Sequence, residues 1–113
     1  MAKKIIFPYR GKEYTLAFTR ATVKQMEQMG FRLSDRVAKP VTFVETLFAG
    51  AFLAYHKHVA GDQKLLDEIY GKFTNRERLI NALTEMYVEP ALTLLDENGA
   101  EDDEGNIAWG EAD

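Results

Sequence analysis

The only imidazoles in this 113-residue chain are His56 and His58, two positions apart in a stretch with helical patterning. Histidines that share a metal on a helix stand three or four residues apart, where side chains lie on one face. A spacing of two turns the rings to different faces, so the pair reads as an exposed helix end and not as a zinc site. The acidic cluster Glu101 to Glu104 offers carboxylates for calcium, but it lacks the alternating oxygen ligands and fixed glycine of a calcium loop. No cysteine is present to act as a thiolate nucleophile, a disulfide partner or a metal ligand. No phosphate-cradling glycine loop, no G-x-S-x-G elbow and no carboxylate pair with an obvious cleft can be read. The expectation is a chain without catalytic residues, metal or cofactor.

Basic side chains are the next candidates. Nine of them precede Pro40, Lys3, Lys4, Arg10 and Lys12 among them, against three acids. A basic, aromatic-bearing hairpin can track phosphates. Against a nucleic-acid role stand the overall net charge of -4 and the absence of any helix-turn-helix or RNA-binding signature. The charge is also unevenly spread. Eight of the 18 acids lie from Asp96 to Asp113, a stretch with no Lys or Arg, so the body carries ten acids against 14 bases. Such a block reads as a disordered, solvated tail. Ile107-Ala108-Trp109 keeps a second reading open, since a lone tryptophan in a polar tail can anchor it to the basic half or to a partner.

These residues need elements to hold them. Lys3 to Tyr9 and Glu13 to Phe18 read as two strands around a turn at Arg10-Gly11-Lys12, with Gly11 free to take a positive φ. Tyr14, Leu16 and Phe18 alternate onto one face. Pro8 cannot donate to a ladder, which makes the first strand an edge. A lone hairpin is marginal in water and must pack on something. Thr19 suits the N-cap of a first helix to Met29, with Val23 and Met26 as its stripe, and Gly30 and Phe31 suit a Schellman stop. Pro40 opens a second helix, Val41 to His58, whose apolar residues run nearly all the way round and make it central. Asp62 caps a third helix to about Phe73, and Thr74 to Glu77 fits a capping box for a fourth to about Leu95, kinked or split at Pro90. The fold expected is α+β and mostly helical: an N-terminal hairpin, about four helices, one compact domain over 1–96 and an acidic disordered tail over 97–113. The only run before the hairpin turn that is apolar, Ile5 to Phe7, is too short for a signal-peptide core, and Val41 to Tyr55 is too short to span a membrane.

Three strings carry a resemblance: Leu16-Ala17-Phe18-Thr19 leading to Met26-Glu27-Gln28-Met29-Gly30-Phe31, then Leu47-Phe48-Ala49-Gly50-Ala51-Phe52, then Leu79 to Pro90. Over roughly Ile5 to Leu95 the chain resembles small phage and prophage proteins of the tail-morphogenesis region, the siphophage tail assembly chaperones and their relatives. These are packing and capping residues, so the resemblance bears on fold and lineage more than on a site. It implies a non-enzymatic protein in the host bacterial cytoplasm that binds the tape measure protein, with the tail tube protein and a second copy of itself as further partners. A tape measure protein is long, helical and apolar-striped, and aggregates unless its patches are covered. A small helical domain with surplus apolar surface can cover them by helix-in-groove contacts. Phe43, Leu47, Phe52 and Tyr55 of the second helix, with Trp109 of the tail, are the residues expected on that partner surface. The bland reading is that the whole second helix is core. The alternative function is a nucleic-acid-associated phage accessory protein using the basic hairpin.

Overall fold

A computed structural model describes residues 4–93. Strands β1 (Ile5–Tyr9) and β2 (Lys12–Leu16) form an antiparallel hairpin. Six helices follow: α1 (Arg20–Gln28), α2 (Asp35–Ala38), α3 (Pro40–Gly50), α4 (Lys57–Ala60), α5 (Gln63–Lys72) and α6 (Arg76–Thr93). The architecture is α+β and mostly helical, as the patterning implies, with α2 and α4 as single-turn additions to the four longer helices. The domain boundary expected near residue 96, and the tail beyond it, lie outside the described residues.

The hairpin closes through Arg10 and Gly11, both at positive φ (50° and 77°). This twist matches that of the flanking strands. With a two-residue turn, Tyr9↔Lys12 and Phe7↔Tyr14 are hydrogen-bonded pairs, whereas Pro8↔Glu13 and Ile6↔Thr15 are not. Pro8 therefore sits where its missing N–H would have faced the open edge, and the ladder loses nothing. By the same parity, the N–H of Thr15 points away from β1. So does that of Ala17, one step past the strand. Both are met from the helical side: Ala17 N donates to the Ala51 carbonyl at 3.0 Å, and Thr15 N donates to His56 Nε2 at 3.0 Å. The free edge of β2 is thus closed by the segment that follows α3.

That closure corrects the expected second helix. It stops at Gly50, and residues 51–55 form successive turns before the single turn of α4. The Ala51 carbonyl, which would accept from residue 55 in a continuing helix, is turned to Ala17 instead. In α1 the reading of the caps holds. Thr19 and Thr22 form a reciprocal capping box, and Gly30 at φ 97° completes a Schellman motif with Gly30 N to Glu27 O and Phe31 N to Met26 O, both 3.0 Å. Asp62 caps α5 through Leu65 N. At α6 the cap is Asn75 and not the expected Thr74–Glu77 box: Asn75 Oδ1 accepts from Arg78 N and its carbonyl from Leu79 N. Pro90 lies inside α6 without splitting it.

One core joins hairpin and helices. Leu16 and Phe18 enter it from the hairpin side, Phe43, Leu47 and Phe52 from the α3 region, and Leu83 and Tyr87 from α6. Phe7, Tyr14 and Phe52 pack ring on ring, and Phe52 meets Phe48, which in turn meets Tyr70 and Phe73. On the other side of α3, Phe31 packs between Phe43 and Tyr87. Edge-to-face aromatic pairs of this kind add about 0.5–1.5 kcal/mol each beyond their burial.

Candidate functional site

Of the five residues expected on a partner surface, four are among the described residues, and three of those share the core cluster. Phe43, Leu47 and Phe52 are buried in the core, which corrects their assignment to a contact surface. Tyr55 is half-exposed, at 51%, and lies under the Lys4 ammonium, 4.9 Å from the ring centroid. Trp109 lies outside the described residues.

The surface of α3 is open elsewhere. Val41 and Val44 on α3 and Leu66 and Tyr70 on α5 line an apolar depression of about 380 Å³, floored by Phe48. Its charged lining is acidic, from the exposed carboxylates of Glu45 and Asp67. Gln63 Nε2 donates to Asp67 Oδ1 at 2.8 Å, which holds that wall in place. A second depression of about 230 Å³ shares Glu45 and Gln63 with the first, and is walled by Met26 of α1, by Met29 just after that helix and by Leu53. Together they form one groove along α3. At 1.5 Å per residue, the eleven residues of that helix make it about 16 Å long, or three turns. Val41, 70% exposed, is part of its lining. An apolar groove of this length between helices suits an amphipathic helix.

The groove residues were visible in the sequence as the surplus of the second helix. Its apolar positions outnumber what one inward face requires, and Val41 and Val44 are that surplus. Leu66 and Tyr70 carried no separate signal, because a stripe at helical spacing reads as core whether or not a neighbour covers it.

The basic side chains of the hairpin are exposed, and two of them lie over its own rings. Lys12 lies over the Tyr14 ring at 5.2 Å, and Arg10 lies over Tyr9 at 5.2 Å with its guanidinium 3.9 Å from Glu68. Two ionisable groups are perturbed. Burial, then the Lys12 and His58 charges, pushes the His56 imidazole below its usual range. Burial, then Glu27, pushes the Tyr87 phenol up. Among the described residues no group of three His, Cys, Asp or Glu side chains is placed to hold a metal ion. No described helix is long and apolar enough to cross a membrane.

Hairpin and groove together define a small α+β domain built on a central helix, one side of which is left open. The chain belongs to the DUF5055 family, a domain of unknown function, whose sequence profile matches residues 1–112. No curated protein and no solved structure matches it.

Proposed function

We propose that this domain is a non-enzymatic chaperone of phage tail assembly that receives an apolar-striped helix of the tape measure protein in the groove along α3. The observation that carries this reading is the groove itself: an apolar depression floored by Phe48 and walled by Val41, Val44, Leu66 and Tyr70, continued along α3 by a second, more polar one. A monomer with no partner gains nothing by keeping Val41 in water, and continuous exposed apolar surface marks an interaction site. The resemblance of Leu16–Thr19, Met26–Phe31 and Leu47–Phe52 to tail assembly chaperones supports the choice of partner. Tail tube subunits would join the same complex as the tape measure helix is coated.

Val41 provides the test, because it is exposed and its replacement leaves the core intact. Co-expression of the wild-type chain with its cognate tape measure protein is expected to raise that protein's soluble yield. Val41→Asp places a charge in the lining of the groove and is expected to weaken the complex about tenfold or more, from lost apolar burial and a buried carboxylate. The fold itself should keep its stability within about 0.5 kcal/mol, as for other surface substitutions. Equal insolubility of the tape measure protein with and without the wild-type chain would overturn the proposal.

A further inference from the structure

The contact between β2 and His56 carries a consequence beyond binding. A backbone N–H can only donate, so the bond from Thr15 N to His56 Nε2, 3.0 Å, requires a lone pair on that nitrogen and places the neutral ring's proton on Nδ1. The ring is held there from three sides. Tyr14 lies 5.1 Å away and Phe52 6.3 Å away, centroid to centroid, and the His56 backbone is anchored to the Phe52 carbonyl at 2.7 Å. Beside the Ala17 N to Ala51 carbonyl bond, this is the second hydrogen bond that closes the edge of β2.

We infer that His56 is a pH-sensitive latch: its neutral ring fastens the hairpin to the helical body, and protonation unfastens it. A proton on Nε2 turns the acceptor into a donor that faces another donor, so the Thr15 bond cannot survive. The groups around the ring push the same way. From β2 come Lys12, a cation, and the Tyr14 phenol. From α4 and its flank come His58 and Lys57, and Lys4 of the hairpin lies over the neighbouring Tyr55 ring. Among the described residues, the charges that act on His56 are those of Lys12 and His58, both of which disfavour a second positive charge. Because the folded state prefers the neutral ring, the stability it contributes is fully present above the unfolded imidazole's pKa, about 6.5. It is lost as pH falls below that value towards the folded pKa.

The experiment is a pH series on the full chain, from 7.5 to 5, following the Thr15 amide by hydrogen exchange and the His56 ring by NMR. The protection of Thr15, corrected for the intrinsic pH dependence of exchange, is expected to fall about fivefold across the window, the worth of one net hydrogen bond. The His56 ring is expected to titrate below the ordinary histidine range, with Nδ1 protonated at neutral pH. His56→Gln retains an acceptor that does not titrate and should flatten the profile, while His58→Ala should leave the loss at Thr15 in place. A His56 ring that titrates at or above 6.5, or a Thr15 amide indifferent to pH, would overturn the inference. Both readouts come from the unaltered protein, so the test stands even if His56→Gln does not fold.

Discussion

Tyr9 shows how a single atom can work against its surroundings. Its ring is half-buried under the Arg10 guanidinium, yet its hydroxyl is buried with no hydrogen-bond partner. A buried unpaired polar group costs about 1–3 kcal/mol, while the ring's packing does not depend on the oxygen. Tyr9→Phe is therefore expected to raise stability by about 1 kcal/mol, read from the urea midpoint. A loss of that size would mean that the hydroxyl has a partner after all. Residue-scale chemistry was the most legible part of the sequence. Thr19, Gly30 and Asp62 take the conformations and bonds that their types imply, because a cap is a local agreement between a side chain and a few neighbouring N–H groups. Asn75 displaced Thr74 as the α6 cap for an equally local reason. It adopts φ 52°, a left-handed conformation that asparagine tolerates better than threonine.

At the scale of elements, α1 and α3 meet where the Met26 side chain lies against Gly50. Gly50 is the last residue of α3, and a Cβ built on it would come within 2.4 Å of the Met26 Sδ and Cε. Two effects of Gly50→Ala oppose each other. The helix gains up to about 1 kcal/mol in propensity, less at its terminus. The buried thioether must move within a packed core, at typically 1–3 kcal/mol. The obstacle is the flexible end of a methionine that borders an open depression, so the shift lies at the low end of that range and a net loss of no more than about 1 kcal/mol is expected in denaturant unfolding. In a Met26→Ala background the obstacle is gone and the same substitution should become neutral or mildly stabilising, so a double-mutant cycle isolates the contact. Additivity of the two changes would refute it. The same stretch holds the main error of the pattern reading. Apolar periodicity through Val41 to His58 predicted one helix, and periodicity has no means of registering that β2 would take the Ala51 carbonyl.

For the whole molecule, the question is what the core requires. Among the described residues its buried members run from Tyr14 to Tyr87 and form one cluster. Removing residues 98–113 is therefore expected to shift Tm by no more than about 2 °C, since a shift of 4–8 °C would correspond to about 1 kcal/mol in a domain of this size. A larger drop, together with a blue-shifted Trp109 emission in the full chain, would show that the tail packs on the domain. The groove belongs to this scale as well. Val41, Val44, Leu66 and Tyr70 come from two helices separated by the 51–62 connection, and only their packing decides that a gap is left between them.

The sequence by itself determined the hairpin and the longer helices, the caps at Thr19, Gly30 and Asp62, the α+β class and the centrality of the second helix. These follow from hydrophobic period and local hydrogen bonding, which act over three to five residues. Tertiary structure alone decided where α3 stops, which of its apolar side chains are core and which line the groove, and what His56 does. Each of those depends on which groups meet across 22 to 45 positions of chain, from Val44 and Leu66 to Phe7 and Phe52. Phe52 and Val41 are alike to any periodicity. One meets Phe7 and Tyr14 of the folded hairpin and is sealed, whereas the other meets water. His56, an exposed helix end by its spacing, becomes the fastening of the hairpin because the parity of a two-residue turn aims the Thr15 N–H at it.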